Sequence, residues 1–250
     1  MRWADRGAAL GALVLLLALW EVGVRLSRLP PYVLPAPTQV LLSFARDLPL
    51  LLHHAGATLA GVGLGLGLGI AGGVALALLL FYVRPLGRAL APFLVGSQVI
   101  PVFAVAPLLV LWFGYGILPR AAVAGMITFF PVAVNLLDGL RSVRPEFLEF
   151  FQALGASERK LLRMVRLPAA APFLLSGLRV GATLSLVGAT VGEWVGSSRG
   201  LGYLMIRANA LLRLDRVFAA ILLLTLLGLA LFWGISLLER LLPPRVRSGR

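Results

Sequence analysis

The chain has 250 residues, of which 60% are hydrophobic and 13% charged, with a mean hydropathy of +0.95. That is too apolar for a water-soluble globular domain of this size, so the bilayer is its solvent. Its lack of cysteine excludes disulfides, thiolate nucleophiles and cysteine metal sites. In so apolar a chain the net charge of +13 reads as a signal of membrane orientation, and nucleic acid is not expected as a partner.

Crossing a hydrocarbon core of about 30 Å takes roughly 20 helical residues. The first candidate, Ala8 to Val24, contains Glu21 and follows Arg2 and Arg6 without a small-residue cleavage site; it reads as a retained signal anchor. Leu29 to Ser43 (LPPYVLPAPTQVLLS) follows, where four prolines forbid a continuous helix and Thr38 is a candidate cap for a short amphipathic one. His53 and His54, the only histidines, are adjacent and cannot share a helix face, so no metal site is expected.

The uncharged run between His54 and Arg84 is 29 residues long, the run between Arg88 and Arg120 is 31, and the run between Arg216 and Glu239 is 22. In the first of these, Gly61, Gly65, Gly69 and Gly73 recur every four residues, which lines one helix face with small residues and predicts close helix packing. Gly63, Gly67 and Gly72 lie off that face. Pro101, Pro107 and Pro131 predict kinks in the third and fourth spans. Ala121 to Leu137 and Ala169 to Val195 complete a count of six spans.

With the N-terminus in the cytoplasm, fourteen of the 23 lysines and arginines fall on intracellular segments and eight outside, which favours both termini inside. Within the charged segment 138–168, Phe147, Phe150, Phe151 and Leu154 fall at helical spacing, and Leu161, Leu162 and Val165 continue the pattern. Gly155 lies between the two apolar patches, and Ser157 is placed to cap the second. The pattern predicts two short helices joined at a glycine, and a surface helix on lipid headgroups fits it as well.

The stretch EFFQALGASERKLLRMVRLP, Glu149 to Pro168, resembles the cytoplasmic signature of ABC importer permeases: Glu-Ala-Ala, three residues, Gly, nine residues, Ile, one residue, Leu-Pro. Glu149, Gly155, Leu167 and Pro168 match in register, Val165 stands for Ile, and Phe150 and Phe151 replace the alanines. VLPAPTQVL, IPVFAVAPLLVLWFGYG, FFPVAVNLLDGLR and GEWVGSSRGLGYLM are similar to the branch handling nitrate, sulfonates, taurine and pyrimidine precursors of thiamine. The resemblance implies an all-α type I importer permease of six transmembrane helices in the bacterial inner membrane. It also implies a homodimer, two ATPase subunits on the cytoplasmic face and an extracytoplasmic solute-binding protein. Glu149, Phe150, Phe151, Gly155, Ala156, Ser157, Val165, Leu167 and Pro168 would then be the ATPase-coupling residues. The only lysine, Lys160, is not in a phosphate-binding loop, so the motor is expected on another polypeptide.

The expected organisation is a signal-anchor helix over 1–28, an external linker and short helix over 29–54, a core over 55–238 and a basic cytoplasmic tail over 239–250. Gln98, Asn135 and Glu193 are polar groups within spans and are candidates for the translocation pathway. Glu193 reads equally as an interfacial carboxylate reaching water or an external arginine, because Gly192, Gly196, Gly200 and Gly202 mark a backbone break. Arg199, Arg207, Arg213 and Arg216 outside favour an anionic solute. No catalytic residue, cofactor or metal is expected; membrane lipid is. A secondary transporter and a basic membrane anchor remain as alternatives at this stage.

Overall fold

A computed structural model describes residues 3–83, 85–87, 89–90, 96 and 101–241. No strand occurs among them. Helix α1 (Trp3–Leu26) keeps its apolar side chains from Leu13 to Leu19 exposed, as a lipid-facing helix does. It meets the body toward its C-terminal end, where the Trp20 ring lies 5.6 Å from the Phe218 ring.

Helix α2 (Pro37–Arg46) starts on a proline at its first position, with Gln39 Oε1 accepting the Ala36 N–H at 3.0 Å. Thr38, expected as the cap, is already inside the helix. Its N–H and hydroxyl both donate to Glu21, at 3.0 and 2.9 Å, so the acid in the first span caps the helix that follows it. Helix α3 (Leu48–Tyr82) has 35 residues, about 52 Å of helix, with Pro49 in its first turn. The expected boundary at residue 54 therefore falls inside it, since Leu50, Leu51 and Leu52 belong to the same helix.

Helix α4 (Val102–Phe113) is only 12 residues long, flanked by Pro101 and by Gly114 at φ +72°. Residues 91–95 and 97–100 of the expected third span lie outside the described residues. Helix α5 (Ile117–Arg141) is followed by the short α6 (Pro145–Ala153) and α7 (Glu158–Leu161). A π-turn (Leu162–Arg166) leads into α8 (Leu167–Gly196), and α9 (Leu201–Ala210) and α10 (Leu214–Leu241) complete the chain. α3, α5, the continuous stretch Glu158–Gly196 and α10 are long and apolar enough to cross a bilayer. α1 has the length of another span.

α5 is the central helix, clasped between α3 and α8. Gly61, Gly65, Gly69 and Gly73 of α3 all face it. A side chain at Gly65 would lie 2.7 Å from the Ala121 carbonyl, and one at Gly69 2.7 Å from the Gly125 carbonyl. Nothing lies within 4 Å of that position at Gly63 or Gly67. α8 presents a second small-residue face to α5: Gly181 packs on Thr128, Gly188 on Ala124 and Gly192 on Arg120. The Thr128 hydroxyl between them donates to the Ala124 and Gly181 carbonyls.

α10 closes the body. Near its N-terminal end Ala219, Ala220 and Leu223 pack with Leu51, Ala55, Leu201 and Leu204. Arg216 donates to Asp47 at 2.8 Å across the joint between α2 and α3. Burial works against the Asp47 carboxylate, but hydrogen bonds from Arg216 and Arg46 outweigh it and hold the group below its usual pKa. Near the other end Arg179 of α8 pairs with Glu239, and its guanidinium lies over Phe232.

Replacing Gly65 with Leu should cost about 1 to 3 kcal/mol by forcing α3 off α5. The same change at Gly63 should be neutral within about 0.5 kcal/mol. Thermal melts of the detergent-solubilised proteins check this; equal losses at both positions would refute the packing account.

Candidate functional site

Two regions gather the residues singled out in the sequence. The first is built around the start of α9. The first backbone donors of a helix have no partner within it. Here the Gly200 N–H donates to His54 Nδ1 at 3.1 Å, the Leu201 N–H to Thr58 Oγ1 at 2.9 Å and the Gly202 N–H to Glu193 Oε2 at 2.8 Å. Three side chains from α3 and α8 thus cap one helix. Accepting through Nδ1 puts the proton of the neutral His54 ring on Nε2.

Glu193 is fully buried, so it does not reach water, and the arginine partner expected as the other possibility is Arg120. The break in the backbone comes only after Gly196, so Gly192 lies inside α8, against Arg120. Arg120, 8% exposed, brings its Nη1 to 3.8 Å from Glu193 Oε1 and donates from the same nitrogen to the Arg199 carbonyl at 3.2 Å. Gly200, at φ +121°, leaves no room for a side chain beside the Glu193 carboxyl. The cluster gathers α3, α5, α8 and the loop before α9 around one carboxylate.

The sequence left open which arginine would meet Glu193, and the structure supplies Arg120. It gave no sign that His54 and Thr58 would cap the helix beside this carboxylate. They lie far from it along the chain, and no local pattern joins them. Of the other pathway candidates, Asn135 donates its Nδ2 to the Pro131 carbonyl of its own helix at 2.8 Å and packs beside Gly177. Gly177 lies sixteen residues before Glu193 on α8, about 24 Å along the axis, so Asn135 and Glu193 form no common site. Gln98 lies outside the described residues.

The second region is the segment carrying the signature. α6 buries none of its residues, and Phe147, Phe150, Phe151 and Leu154 are between 36 and 69% exposed. The chain reverses at Gly155, φ +80°. Its N–H donates to the Gln152 carbonyl at 2.9 Å and the Ala156 N–H to the Phe151 carbonyl at 3.0 Å. Ser157 is extended before α7, but its side chain makes no capping bond. Gln152 instead ties α6 to Glu158 at 2.9 Å. Glu149 is exposed.

The second short helix does not stand apart. It runs through the π-turn, which includes Val165, into α8 at Leu167 and Pro168. Pro168 has no N–H to give, and the turn before it widens, with Leu167 N–H bonding to the Leu162 carbonyl. Leu161, almost fully buried, anchors the segment to the body.

This helical body, with a small-residue core and an uncovered apolar helix between spans, has the build of a transporter's membrane component. Residues 65–247 match the family described as binding-protein-dependent transport system inner membrane component, and the chain belongs to it. The formylaminopyrimidine transport permease protein of Halalkalibacterium halodurans is 41% identical, over 92% of each chain. The riboflavin transport system permease protein of Chloroflexus aurantiacus is 42% identical, over 92% of this chain and 87% of its own. Among solved structures, a chain of an amino acid ABC transporter aligns with a TM-score of 0.67 at 18% identity, covering 80% of this chain and 98% of that one. The chain is an all-helical, multi-pass ABC permease of the inner membrane and not an enzyme.

Glu193→Ala should cost about 3 to 5 kcal/mol, because it leaves Arg120 buried without its carboxylate and the Gly202 N–H without an acceptor. Glu193→Gln keeps an acceptor for that N–H and should lose less. Melting temperatures of the purified permeases rank the three proteins, and an unchanged alanine variant would sink this account of the cluster.

Proposed function

We propose that this chain lines the translocation pathway of an ATP-driven importer and couples to an ATPase through residues 138–168. The observation that carries the proposal is α6. A helix with three phenylalanines uncovered and Leu154 exposed just past its end, turning at a left-handed glycine within the family signature, supports a surface made to seat in another protein. Glu149, Phe150, Phe151 and Leu154 would meet the ATPase. Gly155, Ala156 and Ser157 would set the angle of the turn, and Val165, Leu167 and Pro168 would carry its movement into α8 as a rigid body. A second copy of the chain, an extracytoplasmic solute-binding protein and the surrounding lipid complete the assembly.

Within the family the best supported solute is a flat nitrogen heterocycle. The two relatives above 40% identity described here carry names for formylaminopyrimidine and riboflavin transport. The outer arginines at 199, 207, 213 and 216 are compatible with an anionic group on that solute or on the docking protein. Both termini lie in the cytoplasm in this reading. Reporter fusions at residues 35 and 205 should therefore report the outside and those at 86, 155 and 248 the inside; an outside report at 155 would reject both orientation and coupling.

Gly155→Val tests coupling directly. A Cβ at this position has open space around it, so the substitution acts through the backbone angle alone, at about 1 to 3 kcal/mol of strain outside the bilayer. The variant should insert and assemble normally, yet show uptake uncoupled from hydrolysis when reconstituted with its ATPase and binding protein. Transport at the wild-type rate would show that this turn is not the coupling element.

A further inference from the structure

Beneath the coupling segment, the ends of α3 and α5 and the stretch from α6 to the π-turn enclose a cavity of about 610 Å³. Phe81, Tyr82, Leu148 and Leu162 form its apolar wall, and Arg141 and Arg166 bring two guanidinium groups to it. Arg166 donates from Nη1 to the Leu140 carbonyl at 3.0 Å and lies 4.9 Å over the Phe81 ring, while its Nε is buried without a hydrogen-bond partner. Arg141 reaches the Leu80 carbonyl from Nη2 at 3.5 Å.

Among the described residues, neither arginine has a carboxylate within 4 Å. Glu158, the one acid in the lining, is engaged by Gln152. The carbonyls at the ends of α3 and α5 supply only partial negative charge, so two cations face the same space with donors unused. Tyr82 and Arg141 are the last residues of their spans, which sets the cavity at the level of lipid headgroups.

We infer that this cavity binds a phosphate group, held between Arg141 and Arg166, and supplied by an anionic lipid headgroup or by free phosphate. The two arginines can grip phosphate oxygens from opposite walls, while the apolar wall accepts the glycerol and upper acyl carbons of a lipid. A bound phosphate would tie the ends of α3 and α5 to the coupling segment, across the joint that the proposed function requires to move.

The test is native mass spectrometry of the delipidated, full-length permease titrated with phosphatidylglycerol and, separately, with inorganic phosphate. Wild type should retain one phosphatidylglycerol per chain. R141Q/R166Q should bind it about 25-fold more weakly, since an arginine near an anionic lipid contributes about fivefold. Displacement of the lipid by millimolar inorganic phosphate identifies free phosphate as the competent ligand, and resistance to displacement identifies the headgroup; either result supports the site.

Leu148→Trp fills the cavity without changing charge and should also abolish tight binding. Arg163→Gln removes one charge from the exposed surface outside the cavity and should leave it intact. Equal binding of phosphatidylglycerol and phosphate by wild type and R141Q/R166Q, retention by Leu148→Trp, or an equal loss in Arg163→Gln overturns the proposal. Size-exclusion profiles and thermal melts of each variant separate a lost site from a lost fold.

Discussion

The half of this permease that holds α2 and α9 depends on the Glu193 carboxylate at the start of α9. Burying such a group costs several kcal/mol unless its charge is met. Here it is met by the Gly202 N–H, by the positive end of α9 and by Arg120. The same arrangement lets a four-residue loop, Ser197 to Gly200, turn the chain from a span into a helix, because His54 and Thr58 satisfy the donors the loop leaves open. Glu21 repeats the device in a more exposed setting, accepting from Thr38 at the start of α2. Each of these two short helices thus begins on an acid from the span before it.

Inside the bilayer there is no hydrophobic drive between helices, since lipid tails are as apolar as leucine. Association has to come from close packing, and the glycines on two sides of α5 supply it. Those of α3 let its backbone approach α5 at Ala121 and Gly125, and those of α8 do so at Thr128, Ala124 and Arg120. Arg120 is where the two themes meet: Gly61 and Gly192 pack against its side chain and backbone from opposite sides while its guanidinium reaches toward Glu193. A bulky residue at either glycine would disturb the polar cluster through packing alone.

The two ends of the molecule are finished differently. At the end that holds α2 and α9, helix starts are capped and most charges are paired, Arg216 with Asp47 and Arg213 with Asp215 among them. At the opposite end, α6 leaves its phenylalanines uncovered and the π-turn interrupts regular bonding just before a span. That segment is held to the body through Leu161 and one widened turn.

The sequence by itself determined the solvent, the helical class, the positions of the long apolar runs, the glycine face of α3 and the reversal at Gly155. Each of these follows from composition or from a local period, and local geometry is what sequence spacing encodes. It also placed an acid at residue 193 without showing its surroundings. The second glycine face on α8 was legible in principle, at Gly181, Gly188 and Gly192, but its irregular spacing gave a weaker pattern than the unbroken four-residue repeat of α3. Only the tertiary structure decided that Glu193 is buried at the start of α9, that Thr38 serves Glu21, that α3 begins at Leu48 and that Arg141 and Arg166 share a cavity. These depend on residues far apart in the chain, whose meeting is set by how helices pack and not by any period along one of them.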